Sequence, residues 1–470
     1  MKKINIQLKT EKILADTFTA VSAYLKLRDH FPFSILLESS DYHGNEHSFT
    51  YICLMPVAFI RIEGLEVVRQ FPGQIPKPFS LSHRRQALTA LQDFVQSFQH
   101  APHDFKFITQ GIFGYMTYDA VQYFEEITFD KTKIEPTAQI PPIQYYAYKY
   151  ILAFNHYNNE LYIVENQYEG DTTPSQLPFI KNLLNQKDFA SYRFELNGEE
   201  LSNFTDEEFL KILQKGKDHC FRGDVFQIVL SRRFTQKFRG DEFTLYRALR
   251  SINPSPYLFY FDFGNFKIFG SSPEAQLVVR NGKASIYPIA GTFRRTGDDK
   301  KDAILAEQLF EDEKENSEHI MLVDLARNDL SIHGENVKVA TFKDIQYYSH
   351  VIHLVSHVIA DVKKEDMFAL VGGTFPAGTL SGAPKYMAMT LIDRYENVSR
   401  SFYGGAIGHI GFDNSFNHAI IIRSFLSQYN TLHYQAGAGV VALSKIENEL
   451  QEVHNKLAAL RRALQVAVTL

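Results

Sequence analysis

The spacing of apolar and polar positions divides the chain into a strand-rich first third and a mixed remainder. Up to about residue 165 the apolar residues fall in short alternating runs, among them "SFTYICLM" (48–55), the Gly- and Tyr-rich "GIFGYMTYDAVQYF" (111–124) and "KYILAFNHY" (149–157). Such runs of β-branched and aromatic residues between turn formers predict strands. From 168 to 203 the chain becomes polar and carries Gly170, Pro174 and Pro178, which places a linker there. Beyond it, Thr205 and Glu208 have the spacing of a capping box, and Phe209, Ile212 and Leu213 share one face of the helix it opens.

Strands are predicted next at "VFQIVLSRRF", "YLFYFDF" and "KIFGSSPEAQLVV", followed by an acidic helical block from about 299 to 327. The segment "GGTFPAGTLSGAPKYMAMTLIDRYE" reads as a Gly- and Pro-rich loop feeding a helix, with Ser381 as its cap and Pro384 in its first turn. The strands "YGGAIGHIGF", "NHAIIIRSFL" and "TLHYQAGAGVVAL" precede a last helix from about 446, with Leu450, Val453, Leu457 and Leu460 as its buried stripe. Two parts are expected, 1–170 and 204–466.

Composition narrows the picture. The 470 residues, 45% apolar and 22% charged, are those of an ordinary globular chain. A net charge of −5 offers no basic footprint for nucleic acid. No apolar run reaches bilayer-spanning length, "MKKINIQLKTEK" lacks the apolar core of a secretory signal, and only two cysteines occur, so a cytoplasmic protein without a membrane partner is expected. Cys53 and Cys220 read as structural. Tryptophan is absent beside 25 Tyr and 39 Phe, which reads either as drift, the reading composition alone favours, or as a composition that a cell short of tryptophan can still translate.

Several groups could carry chemistry. Glu315 and Glu318 share a face of the acidic block, while Glu449, Glu452 and Lys456 sit at i, i+3 and i+7 on the last helix. These are either solvated helix faces with a Glu452–Lys456 ion pair, or carboxylates separated by a cation, for which hard oxygen donors suit Mg²⁺. Gly437 and Gly439 end a strand, where they serve either a close backbone approach to an anion or tight packing. Arg423 lies in the apolar run "AIIIRSF" and needs a buried anionic partner, from the protein or a substrate. Glu274 enters a strand after Pro273, an unusual place for a carboxylate unless it is paired or poised as an acid. His353, Thr379 and Tyr403 are compatible with either structural or chemical roles. No phosphate-binding or dinucleotide-binding glycine motif is present.

Taken in order, "LLESS", "NPSPYLFYF", "SPEAQLVV", "PIAGT", "SEHIMLVDLARNDL", "HLVSHV", "FPAGTLSGAPK", "YGGAIGHIGF", "AIIIRS" and "QAGAGVV" resemble the chorismate-utilising enzymes, and among them the anthranilate synthase component I branch. The resemblance implies an α+β fold in which two antiparallel β-sheets pack as a sandwich with helices outside. It implies that 1–170 is a regulatory part folded against the chorismate-binding part 204–466. Carried over by matching motif, Glu318 and Glu452 would hold Mg²⁺, with Glu315 and Glu449 behind them. Lys456 and the backbone near Gly437 and Gly439 would meet the ring carboxylate of chorismate, and Arg423 and Tyr403 its enolpyruvyl carboxylate. Glu274 would protonate the departing hydroxyl, with Thr292, Thr379 and His353 along the ring. Glu38, Ser39, Pro256, Tyr257 and Leu258 match a feedback site for tryptophan.

Two positions discriminate within the resemblance. Aminodeoxychorismate synthases carry a nucleophilic lysine where "SIYPIAGTFRRTG" has Ala290, and salicylate and isochorismate synthases carry a lysine base where this chain has Gln227. A methyl group cannot attack and an amide is neutral across the working range, so the remaining nucleophile is ammonia. It is expected from glutamine through a separate amidotransferase subunit, in a heterodimer or heterotetramer. Aminodeoxychorismate synthesis, or tryptophan sensing without catalysis, are the alternatives. Phe293, Leu450 and Gln451 depart from the pattern of these enzymes.

Overall fold

The computed structural model describes residues 3–39, 49–347 and 351–470, with backbone only for Ala290, Thr292, Arg294, Lys314 and Val351. Ser40, the last residue of "LLESS", therefore lies outside the described residues, as do the side chains of Ala290 and Thr292.

Two long strands, Phe49–Glu63 and Ile143–Asn155, pair antiparallel, and their register shifts between Pro56 and Ala58. That break lets one strand pair serve two sheets. On one side Tyr51–Cys53 pairs with Ile35–Glu38. Next to it lie Tyr257–Asp262, Phe266–Ser272, Ser424–Gln428, Thr431–Val441 and Gln227–Gly240 in turn. On the other side the 143–155 strand pairs with Gly111–Met116. Ala406–Gly411, Phe416–Ile420, Ala275–Arg280, Lys283–Ile286 and Val351–Asp361 then follow. All of these pairings are antiparallel.

The two sheets enclose a shared apolar layer, with Ile35, Cys53, Phe259 and Ile268 from one and Phe113, Ile407 and Ala419 from the other. Helices Asp206–Arg222, Glu242–Ile252 and Ile446–Ala467 cover the outer face of the first sheet. Asp299–Glu311, Glu313–Ser331 and Met367–Thr374 pack on the second. This is an α+β sandwich, and strands buried on both faces explain why many of them read as continuous apolar runs. Among the described residues no helix is long and apolar enough to cross a membrane. Cys53 and Cys220 are buried free thiols.

Most predicted helix starts agree with local chemistry. Thr205 and Glu208 form the reciprocal capping box, and the acidic block divides at Asp312, whose carboxylate accepts the Glu315 amide. In the last helix Val453, Leu457 and Leu460 are buried while Leu450 sits half-buried at the edge of the stripe.

Three expectations need correction. The 168–203 segment is more than a linker: it contains the helix Leu177–Asn185, which buries Leu177, Ile180, Leu183 and Leu184 and carries Pro178 in its first turn. Ser381 is not a helix cap. It ends a short helix, Gly378–Ser381, and its hydroxyl donates to the Ala377 carbonyl at 3.1 Å. Gly382 then takes φ 131, a conformation suited to glycine, and Gly382–Ala383 pairs with Gln227 and Ile228 in the sheet. Pro384, with ψ 138, is consequently the extended N-cap of Lys385–Tyr395 rather than part of its first turn.

Candidate active site

The chain passes from one sheet to the other at two adjacent corners, Pro273–Glu274 and Ile421–Arg423. They are tied by backbone bonds from Ile420 N to Glu274 O at 3.0 Å and from Ser271 N to Arg423 O at 3.1 Å. Arg423 holds φ 49, a strained conformation for a residue with a side chain. Each corner delivers one charged side chain to the same place. Burial pushes the Glu274 carboxyl up to about 7, against the Thr379 hydroxyl that donates to it at 3.0 Å and the charges of Lys456 and Arg423. Burial likewise lowers the Arg423 guanidinium from its usual value, with Glu274 opposing. Among the described residues no carboxylate lies within salt-bridge distance of Arg423. A half-buried cation beside a carboxyl whose pKa burial raises to about 7 leaves a demand for an anion.

His353 closes another side. It is 5% exposed, and its Nδ1 lies 2.9 Å from the Gly291 carbonyl, which makes Nδ1 the protonated nitrogen of the neutral ring. Burial lowers its pKa, against the Gly291 bond, and the charge of Arg423 lowers it further, so the imidazole is neutral near pH 7. The backbone of Thr292 stands opposite His353 in the sheet, and that of Ala290 opposite Leu354. Gly291, at φ 70, lies under the acidic helix: a Cβ there would meet Leu309 at 2.5 Å and Glu315 Oε2 at 3.3 Å.

The strands Gln227–Gly240 and Thr431–Val441 form the remaining wall. Val229 pairs with Gly439 and Ser231 with Gly437. The Gln227 amide lies over Gly439, where a Cβ would come within 2.6 Å of its nitrogen, and it donates to Glu318 Oε1 at 3.4 Å. Gly439 is thus bare so that Gln227 can cross it. The Gly437 amide hydrogen-bonds the buried Tyr403 hydroxyl, and its carbonyl accepts Lys456 Nζ at 2.9 Å. Lys456 also pairs with Glu452 at 2.6 Å, so the i,i+4 ion pair considered for the last helix is formed.

Glu274, Thr379, Arg423, His353, Gln227, Tyr403, Gly437, Gly439, Lys456, Glu452, Glu318 and Glu315 are therefore linked by direct contacts or by mutual charge. Glu449 is buried on the same helix, one turn before Glu452. Among the described residues no three His, Cys, Asp or Glu side chains converge closely enough to hold a metal. The nearby donor set is nevertheless carboxylate: Glu315, Glu318, Glu449 and Glu452, with His319 engaged by Ser356 at 2.6 Å. Hard oxygen donors without thiolate or imidazole fit Mg²⁺ in kind, and the Lys456 ammonium shows that Glu452 accommodates a cation.

A second group lies apart. Glu38, in the strand beside Leu258, accepts Arg250 Nε at 2.8 Å and the Tyr246 hydroxyl at 2.5 Å. Ser39, Pro256 and Tyr257 are half-buried beside it in sequence and sheet, and Leu258 is buried. The sequence reading missed Tyr246 and Arg250, although their i,i+4 spacing puts both on one helix face. It also missed Glu396 and Arg400, an i,i+4 pair buried behind Tyr403.

The model of the chorismate binding enzyme family matches residues 38–462. The chain belongs to that family. Anthranilate synthase component 1 of Aquifex aeolicus is 35% identical, over 98% of this chain and 95% of that protein. Among solved structures the chain is similar to anthranilate synthase component I from Streptococcus pneumoniae, with TM-score 0.76 and 29% identity, covering 96% of this chain and 99% of that one. The menaquinone-specific isochorismate synthase from Escherichia coli, at TM-score 0.74 and 20% identity over 99% of this chain and 96% of its own, shares the fold.

Proposed function

We propose that this chain is the large subunit of an anthranilate synthase, which converts chorismate and ammonia to anthranilate, pyruvate and water. The observation that carries the reading is the Glu274 corner. A carboxyl whose pKa burial raises to about 7 faces a half-buried guanidinium that has no carboxylate within salt-bridge distance among the described residues, in a site whose positions 227 and 290 hold glutamine and alanine rather than lysine.

Arg423 and Tyr403 hold the enolpyruvyl carboxylate, and Lys456 with the backbone around Gly437 and Gly439 holds the ring carboxylate. Held by Glu318 and Glu452, with Glu315 and Glu449 behind, Mg²⁺ would supply positive charge to the ring carboxylate. Glu274 gives its proton to the ring hydroxyl, which leaves as water while ammonia forms the C–N bond, and the surplus proton of the new ammonium restores the acid. In the second step the amine-bearing ring carbon loses its proton, the bond from the ring to the enolpyruvyl oxygen breaks, and the departing enolpyruvate takes up a proton to become pyruvate, leaving an aromatic ring. His353, neutral and fixed by Gly291, lines the ring for this loss. Thr379 steadies Glu274, Thr292 faces the ring from the backbone opposite His353, and Gln227 occupies the base position without being able to activate water.

Ammonia reaches the site from glutamine through an amidotransferase subunit, in a cytoplasmic heterodimer or heterotetramer. Tryptophan inhibits from the Glu38 group, where Glu38 meets the ligand's ammonium and Ser39, Pro256, Tyr257 and Leu258 border it. The test is product identity: purified chain with chorismate, ammonium and Mg²⁺ is expected to yield fluorescent anthranilate and equimolar pyruvate. Tryptophan should suppress this, and Glu38→Ala should relieve the suppression. Aminodeoxychorismate without pyruvate, or isochorismate formed without ammonium, would contradict the reading. Absence of turnover would favour a tryptophan-sensing protein.

A further inference from the structure

Behind the site wall lies a buried ion pair that touches none of the substrate-facing groups' charged ends. Arg400 and Glu396 are each 2% exposed and 2.6 Å apart. Burying such a pair gives little net stability compared with apolar side chains of similar size, so what it holds in place matters more than its strength. The Arg400 guanidinium distributes its bonds over three separate segments. Nε and Nη2 donate to Glu396 at 2.9 and 2.6 Å, Nη1 donates to the Leu380 carbonyl at 2.6 Å, and Nη2 donates to the Val229 carbonyl at 2.7 Å.

Each segment leads directly into the site. Leu380 follows Thr379, whose hydroxyl donates to Glu274. Val229 pairs with Gly439, two residues beyond Gln227. Arg400 also accepts the Tyr403 amide on its own carbonyl at 3.1 Å, and its guanidinium carbon lies 5.7 Å from the Tyr403 ring centre. Glu396 fixes a fourth point, accepting the Ser231 amide at 2.8 Å and hydroxyl at 2.7 Å opposite Gly437. A rigid planar fork can satisfy these directions together, whereas an ammonium on a flexible stem cannot.

We infer that Arg400, oriented by Glu396, is a positioning residue for the proposed reaction, setting the distance between the Thr379 loop, the Gln227–Gly439 wall and Tyr403. The inference rests on the reading of Glu274 as the acid. Glu274 is faced by Arg423, Lys456 and Thr379, and of these only Thr379 hangs from backbone that Arg400 grips. Loosening that grip weakens the Thr379 hydrogen bond to the carboxylate, which disfavours the ionised form.

The test is the pH profile of chorismate turnover in Arg400→Lys, in Thr379→Val and in the double variant. Arg400→Lys is expected to lower kcat by about tenfold to a hundredfold, with a smaller change in KM, by misplacing groups it does not touch. Its activity should persist to higher pH than wild type, as in Thr379→Val, and the double variant should show no further displacement. An unchanged profile and kcat in Arg400→Lys, or displacements that add in the double variant, would overturn the inference. A wild-type profile with no fall around neutral pH would instead remove the Glu274 reading itself. If Arg400→Lys fails to fold by near-UV circular dichroism, Ser231→Ala, which removes one bond from Glu396, carries the test. A smaller displacement in the same direction supports the inference, and an unchanged profile overturns it.

Discussion

In the proposed reaction Glu274 is the proton donor, and its burial makes a double prediction. Its folded pKa, about 7, lies above the ordinary carboxylate value, so the folded state binds the proton more tightly than the unfolded chain does. Stability from this group is full at low pH and is lost as pH rises through the range up to about 7. Glu274→Gln should therefore raise thermal stability at pH 8, by on the order of 1–3 kcal/mol, and leave it nearly unchanged at pH 4. The same variant should lower kcat by roughly 10²–10⁴. Thermal melts at the two pH values and an anthranilate assay read both; destabilisation at pH 8 would contradict the assignment. The carboxylate's odd place after Pro273 was legible in the sequence, because apolar strands seldom begin on an acid. Arg400 was not legible. Its immediate neighbours in "NVSRSFY", Ser399 and Ser401, are polar, and only folding places Leu380 and Val229 around its guanidinium.

At the scale of elements, the site is made by strand ends and corners. The corner strain at Arg423 and the left-handed turn at Gly291 are backbone features that hydrophobic periodicity does not encode. The glycine pair was ambiguous in sequence between anion approach and packing, and the structure gives Gly439 a specific neighbour. Gly439→Ala should push the Gln227 amide off Glu318, because the clash is with the end of a flexible side chain. Turnover should then fall at least tenfold while stability changes by under about 1 kcal/mol. Steady-state kinetics beside a denaturant melt check this, and unchanged kinetics would show that the crossing of Gln227 over Gly439 has no functional weight. The helix cap assigned to Ser381 failed for a related reason. A two-residue sheet pairing at Gly382–Ala383 is a tertiary contact, and it overrides the local signal for a cap.

Across the whole molecule, the alternation of short strands and capped helices conveyed a strand-rich first part and a mixed remainder, and the α+β sandwich came from the resemblance that the ordered motifs carry. Alternation alone could not reveal that 1–170 and 204–466 share their sheets: Ile35–Glu38 completes the edge of Tyr257–Asp262, and Gly111–Met116 that of Ala406–Gly411. Expressed alone, 204–470 would expose both edges and the apolar layer between the sheets, so it should aggregate rather than fold, as size-exclusion chromatography and circular dichroism would report. A folded, active fragment would contradict this interdependence. The most direct test of the whole account is turnover with chorismate and ¹⁵N-ammonium, followed by mass spectrometry of product and intact protein. The account predicts anthranilate carrying the label and a polypeptide of unchanged mass; unlabelled product, or a covalent adduct on the chain, would contradict it.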